Sequence, residues 1–147
     1  MSNLDIGMEA FNLFCGKLLG QGIDRKTFVL ATDPAFVVKV EEDERRLRFQ
    51  NILEWQVWCA ATDVGKEATQ WLAPCVHLSP DGRILIQRRT QPLILDKRPK
   101  KMPVWLSDFK ADNYGMLDGR VVAHDYGLNM PLLYGLYSKA KRIANWY

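Results

Sequence analysis

The sequence predicts an α+β fold in which a small antiparallel sheet carries one long helix. Two patterns point to it. Short runs of strand formers alternate with turn residues, and helical periodicity is confined to a long stretch in the first half and to the tail. With 147 residues, 48% of them hydrophobic and 25% charged, the chain is long enough for a core, and 1–147 is expected to form a single domain.

The elements follow in order. After a short helical or irregular start, Leu13 to Leu19 leads into Gly20-Gln21-Gly22, and Thr27-Phe28-Val29-Leu30 follows, which fits two strands joined by a glycine turn. Asp33-Pro34 signals a turn, and Ala35 to Val40 reads as a third strand that ends in the acidic cluster Glu41, Glu42, Asp43 and Glu44. From Glu44 to about Thr62, the residues Leu47, Ile52, Trp55, Trp58 and Cys59 recur near helical spacing and predict an amphipathic helix. Cys75 to Leu78 and Arg83 to Gln87, on either side of Ser79-Pro80-Asp81-Gly82, read as a hairpin. Pro92, Pro99 and Pro103 forbid a long helix between them. Tyr114 to Leu117 and Arg120 to Ala123, joined by Asp118-Gly119, predict a second hairpin. The tail sets Leu133, Leu136, Tyr137, Ala140, Ile143, Ala144 and Tyr147 on one face of a final helix, with Lys139, Lys141 and Arg142 off it.

Composition narrows the function. No apolar run approaches the length of a membrane span, and Met1 to Asp5 lacks the basic and apolar regions of a signal peptide, so a cytoplasmic protein is expected. Cys15, Cys59 and Cys75 are odd in number, widely spaced and joined only by His77 and His124, which supports neither a disulfide framework nor a zinc site. The net charge of +3 is uneven: Arg83, Arg88, Arg89, Lys97, Arg98, Lys100 and Lys101 face only Asp96 within their stretch. Such a run reads first as solvated loop, and second as a surface for nucleic acid or an acidic protein. Trp55, Trp58 and Trp71 read as core residues, and His124 as a structural hydrogen bonder.

The densest polar group is Leu106-Ser107-Asp108-Phe109-Lys110-Ala111-Asp112-Asn113, followed by the second hairpin and His124-Asp125-Tyr126-Gly127. Carboxylates, a lysine and an amide therefore stand at the two ends of one hairpin. Asp108, Asn113 and Asp125 could face one magnesium ion, a hard cation that takes oxygen ligands and shares its shell with phosphate and water. Turn chemistry alone also favours Asp, Asn and Gly at such places.

Asp108-Phe109-Lys110-Ala111-Asp112-Asn113 resembles the protein-kinase catalytic loop, and Asp125-Tyr126-Gly127 resembles the family's metal-binding Asp-Phe-Gly. Gly20-Gln21-Gly22, Val37-Val38-Lys39 and Glu54 fall where that family has its glycine loop, strand lysine and helix glutamate. The resemblance implies a kinase-like N-lobe, an antiparallel sheet plus one helix over about 1–90, followed by a strongly reduced C-lobe over about 91–147. It implies ATP and magnesium as cofactors. Gly20 and Gly22 would admit the phosphates, Lys39 would hold them and pair with Glu54, and Asn113 and Asp125 would bind magnesium. Asp108 would orient the acceptor hydroxyl and take its proton, and Lys110 would neutralise the moving phosphoryl group. Ile86 would border the adenine, with Gln87, Arg88 and Arg89 as the hinge.

The sequence also departs from the pattern. Arg25 replaces the third glycine, Leu106-Ser107 replaces His-Arg before Asp108, and the helices that support the loop and dock substrate have no room. The resemblance therefore implies either a minimal kinase acting on a protein Ser or Thr hydroxyl, or an inactive kinase-like protein that binds and regulates another macromolecule. So compact a version would suit a phage or other mobile-element protein. Dimerisation or a protein partner could supply the missing buttress; nucleic acid is a weaker partner, and a membrane is not expected.

Overall fold

The structure, a computed structural model, describes residues 3–41 and 49–147. Glu42, Asp43, Glu44 and Leu47, which the sequence places in the acidic cluster and at the helix start, lie outside the described residues. The architecture is α+β with an antiparallel sheet and few helices, and the chain divides into two compact units: Met1–Asn51 with Cys75–Arg89, and Ile52–Pro74 with Thr90–Tyr147.

In the first unit, helix α1 (Asn3–Phe14) precedes five strands: β1 (Cys15–Gln21), β2 (Lys26–Leu30), β3 (Phe36–Val40), β4 (Cys75–Leu78) and β5 (Ile84–Arg88). They form one antiparallel sheet in the order β1-β2-β3-β5-β4. Side chains alternate across a pleated strand, so the register assigns each residue a face. Leu30, Val38 and Val40 form a core on one face, with Phe28, Phe36 and Ile86 against them. The ring of Phe11 in α1 meets Phe28 edge-on at 5.4 Å. Val37, Lys39, Leu85 and Gln87 share the other face, because Val37 pairs with Gln87 and Lys39 with Leu85.

The end of β3 is fixed by a buried polar network centred on Asn51. Its Nδ2 donates to the carbonyls of Lys39 at 3.0 Å and Arg83 at 2.9 Å, its Oδ1 accepts from Arg25 Nη1 at 3.0 Å, and its backbone N–H donates to Glu41 Oε1 at 3.1 Å. Both donors of this amide and its oxygen thereby have partners, which is what lets it stand in a core.

Helix α2 (Gln50–Val64) begins after Phe49, whose φ of 56° is not helical; the expected start at Glu44 lies outside the described residues. Its buried positions are also not the expected ones. Asn51, Glu54, Val57 and Ala61 are buried, whereas Ile52, Trp55 and Trp58 are half-buried and Cys59 is exposed. Two polar residues with satisfied hydrogen bonds occupy the inner stripe, so hydrophobic periodicity pointed to a neighbouring face.

The second unit contains most of α2, then α3 (Lys66–Thr69) and two small sheets. Gly65, at φ +116°, ends α2 in a conformation a side chain would resist. Strands β6 (Gln91–Pro92), β8 (Tyr114–Leu117) and β9 (Arg120–Ala123) form one sheet, and Leu72 bridges to Ala123 in parallel. Strand β7 (Lys101–Pro103) lies within the proline-rich stretch. At Gly115 a Cβ would lie 2.5 Å from Thr90 Oγ1 and 2.7 Å from the Gln91 carbonyl, so β6 approaches β8 only because that side chain is absent. Ala73, Leu117 and Val122 form the core beneath.

The expected final helix does not form. Helix α4 (Met130–Leu133) is one turn, capped by Asn129 Oδ1, which accepts from the Leu132 N–H at 3.1 Å, and it stops before Gly135 at φ +71°. The following chain turns extended and adds strand β10 (Lys141–Ile143) to β7, with Arg142 opposite Met102. Leu136, Ile143 and Tyr147 are exposed rather than aligned on a buried face. Apolar spacing over so short a tail fits either periodicity, and pairing with β7 decides it.

Candidate functional site

The polar loop before β8 is held at its centre by Asp108, a non-glycine residue at φ 53°. Asp and Asn tolerate this left-handed region better than other residues, and strain of this kind concentrates at functional sites. The loop closes on itself. Asn113 Nδ2 donates to Asp108 Oδ2 at 2.9 Å, and the Asn113 N–H donates to the Lys110 carbonyl at 2.9 Å. With its amide nitrogen turned to Asp108, Asn113 keeps its amide oxygen for another partner.

The hairpin then brings Asp125 back to the same end. Tyr114 pairs with Ala123, and the His124 N–H donates to the Asn113 carbonyl at 2.9 Å. The His124 ring spans the gap, with Nε2 2.7 Å from the Asp112 carbonyl and Nδ1 2.7 Å from Thr90 Oγ1. A carbonyl only accepts, so Nε2 donates. Both ring nitrogens are engaged, and His124 is a structural bonder as its position suggested. Asp125 itself is exposed, and the Tyr126 N–H beside it donates to Glu54 Oε1 at 3.0 Å in a buried contact. Glu54 is thus not a surface glutamate of α2 but the acceptor that holds the Asp125-Tyr126-Gly127 segment, helped by the Tyr126 hydroxyl, which donates to the Ala73 carbonyl at 2.7 Å.

The backbone therefore places Asp125 at the same end of the β8–β9 hairpin as the bonded pair Asp108 and Asn113. Lys110 is exposed on the same loop. Their oxygens are hard donors and suit magnesium, which usually takes one or two protein carboxylates and completes its shell with phosphate and water. Among the described residues no group of three or more His, Cys, Asp or Glu side chains is placed to hold a metal ion.

In the first unit the register aligns Gly20 with Thr27 and Thr27 with Lys39, so the glycine and the lysine lie in one row across three strands. A Cβ at Gly20 would meet nothing within 4 Å, and one at Gly22 only the Arg25 carbonyl at 3.7 Å. Neither glycine is required by packing or by a positive φ. Arg25, standing where the resemblance expects a third glycine, closes the turn: its carbonyl accepts from Gly22 N–H at 2.9 Å and its guanidinium reaches Asn51. Lys39 is buried. The side chains of Ile86 and Arg88 do not share its face. Ile86 pairs with Val38 and packs in the apolar core, and the Arg88 guanidinium lies 6.0 Å from the Phe36 ring centre. Leu85 and Gln87 lie on the lysine face instead, one residue along from each. The expected hinge is also partly committed, because the Arg89 N–H donates to the Ala35 carbonyl at 2.8 Å.

The support of the Asp108 loop comes from residues late in the chain that sequence reasoning missed. The Arg142 guanidinium donates to the Leu106 carbonyl at 3.1 Å and lies 5.9 Å from the Phe109 ring centre. The Tyr114 hydroxyl donates to the Ser107 carbonyl at 3.2 Å, and burial, reinforced by the nearby Asp108 charge, pushes its phenol well above the ordinary range. Trp146 sets its ring against Phe109 and Tyr114, at 5.4 and 4.8 Å between centres, and donates from Nε1 to the Pro99 carbonyl at 2.9 Å. Tyr147 donates its N–H to Phe109 at 3.0 Å and accepts from Ala111 N–H at 2.7 Å. Its hydroxyl donates to Asp108 Oδ1 at 2.5 Å, a bond that raises the phenol above its usual value of 10.0. Aromatic residues and an arginine late in the chain were the available signal, hidden by their reading as helix.

No protein-family model matches this sequence, and no curated protein matches it. Among the described residues, no helix is long and apolar enough to cross a membrane.

Proposed function

We propose that this chain is a kinase-like protein that binds ATP with magnesium and transfers phosphoryl to a protein Ser or Thr hydroxyl. The observation that carries this reading is the grouping of Asp108, Asn113 and Asp125 at one end of the β8–β9 hairpin, with Asp108 and Asn113 directly bonded at 2.9 Å. Turn chemistry explains each residue singly, but not a strained carboxylate, an amide and a second carboxylate brought together from two loops.

On this reading Asn113 and Asp125 hold the metal, whose chemistry is to neutralise phosphate charge. Lys39 binds phosphate, and the unfilled space at Gly20 and Gly22 admits it. Asp108 orients the acceptor hydroxyl and takes its proton, and Lys110 offsets charge on the transferred group. Glu54 acts through the backbone of Tyr126 as a positioning residue for Asp125. Arg142, Trp146 and the backbone of Tyr147 support the loop, which answers the need for a rigid shell.

A second reading, a kinase-like protein without turnover that regulates a protein partner, is favoured by one observation. Both Asp108 oxygens are already engaged, by Asn113 and by Tyr147.

A thermal melt with and without ATP and magnesium, beside Asp125→Ala, tests the nucleotide site. Ligand at about a hundredfold over its dissociation constant adds about 2.7 kcal/mol, which in a domain of this size is a shift of several degrees. A metal-dependent shift lost in Asp125→Ala is expected. No shift at millimolar ATP would remove the nucleotide from both readings and leave only partner binding.

A further inference from the structure

We propose that Tyr147 is an intramolecular phosphoryl acceptor, its hydroxyl standing at Asp108 where a substrate hydroxyl must stand. The inference rests on the kinase-like reading above and adds to it a modification site and a way of controlling access.

The geometry is specific to the hydroxyl. Residues 144–147 are anchored without it, by the Ala144 N–H on the Lys100 carbonyl at 2.9 Å, by Trp146, and by the two backbone bonds of Tyr147 to Phe109 and Ala111. The Tyr147 side chain is 72% exposed, so burial of the ring does not account for its direction. Yet its oxygen lies 2.5 Å from Asp108 Oδ1, while Oδ2 is taken by Asn113. A hydroxyl arriving from another protein must displace Tyr147 to reach the carboxylate.

In the step proposed, the Tyr147 oxygen attacks the terminal phosphorus of ATP. The bond from that phosphorus to the bridging oxygen breaks, the electron pair departs with ADP, and the phenolic proton passes to Asp108. The acceptor is a phenol rather than an aliphatic hydroxyl, and its tethering makes the reaction unimolecular, an advantage that intermolecular acceptors lack. The product carries two negative charges beside Asp108, and like-charge repulsion would expel Tyr147 and open the carboxylate to other acceptors.

The test uses the full chain with ATP and magnesium, reading the mass of the peptide that contains Tyr147 and, separately, phosphate transfer to casein. Phosphorylation on Tyr147 is expected at a rate independent of protein concentration, and absent in Asp108→Asn. Tyr147→Phe, which keeps the ring and backbone bonds, should transfer to casein about tenfold faster at early times, the worth of one charge-assisted hydrogen bond. The ATP-dependent melt, run in parallel, reports the nucleotide site independently of transfer. A normal melt shift with casein labelled equally by wild type and Tyr147→Phe, and Tyr147 unmodified, would overturn the proposal and leave the kinase-like reading standing. A melt shift without any transfer would also overturn it, in favour of the inactive reading. Neither shift nor transfer would sink both.

Discussion

The two units bury polar groups by different means. In the sheet unit, Asn51 sits at a strand end and its amide satisfies carbonyls of Lys39 and Arg83. The network is closed, and its effect is to hold β3 and the turn at Arg25 in register. In the second unit, the polar groups of the Asp108 loop stay exposed or half-exposed, and what is buried around them is their support: Leu106, Phe109, Tyr114 and Glu54. A closed network fixes a scaffold, whereas an exposed one with buried support offers side chains to a ligand. The contrast teaches where substitutions should separate stability from binding.

The largest effect is expected in the closed network. Asn51→Ala removes the amide that meets the Lys39 and Arg83 carbonyls and the Arg25 guanidinium, keeps the backbone N–H on Glu41, and should cost about 3 kcal/mol. Urea denaturation measures it. A loss below 1 kcal/mol would mean that water replaces the amide and that the sheet unit is no more closed than the loop.

Trp146→Ala probes the support of the second unit. It removes ring contacts with Phe109 and Tyr114 and the bond to Pro99, and because Trp146 is only half-buried the cost should be about 2 kcal/mol, below the usual range for a buried tryptophan. ATP-dependent stabilisation should fall with it, since the loop loses its buttress. Unchanged nucleotide response would show that the loop holds its shape without the tail.

Gly20→Ala sharpens the comparison from the other side. Nothing lies within 4 Å of the added methyl group, and alanine loses less entropy on folding than glycine, so stability without nucleotide should stay level or rise by about 0.5 kcal/mol. ATP affinity should nevertheless fall, because the methyl group would occupy space that the phosphates need. Equal affinity in both forms would make this glycine an ordinary strand residue.

How much of this was legible differs between the units for a physical reason. The strands and both hairpins follow local rules: β-branched runs such as Val37-Val38 and turns such as Ser79-Pro80-Asp81-Gly82 announce themselves. Asp108, Asn113 and Asp125 were legible from spacing, because a hairpin of fixed length brings its two ends together. The inner stripe of α2 was not, since Asn51 and Glu54 are buried through hydrogen bonds to residues far along the chain. Nor was the tail, whose strand depends on pairing with β7 and whose Trp146 and Tyr147 act only through residues some forty positions earlier. Nor was the face on which Ile86 lies, because composition does not reveal register.

The smallest effect concerns the same Tyr147 bond and tests it without nucleotide. The phenol is raised above 10.0, chiefly by its hydrogen bond to Asp108, with desolvation and the Asp108 charge adding to it. A raised pKa means the folded state favours the protonated phenol. Its contribution to stability is therefore fully present below pH 10.0, the unfolded value, and is lost as pH climbs through the higher folded value. Tyr147 is exposed, so solvent screens the effect and a change in titration is a better readout than a change in stability. Phenolate absorbance should show one late-titrating tyrosine fewer in Tyr147→Phe, and in Asp108→Asn the Tyr147 phenol should titrate earlier, with Tyr114 still late because burial is its first cause. If the late-titrating group persists in Tyr147→Phe and Asp108→Asn leaves the curve unchanged, the tail does not hold Asp108 in solution, and the loop unit is open in a way its contacts deny.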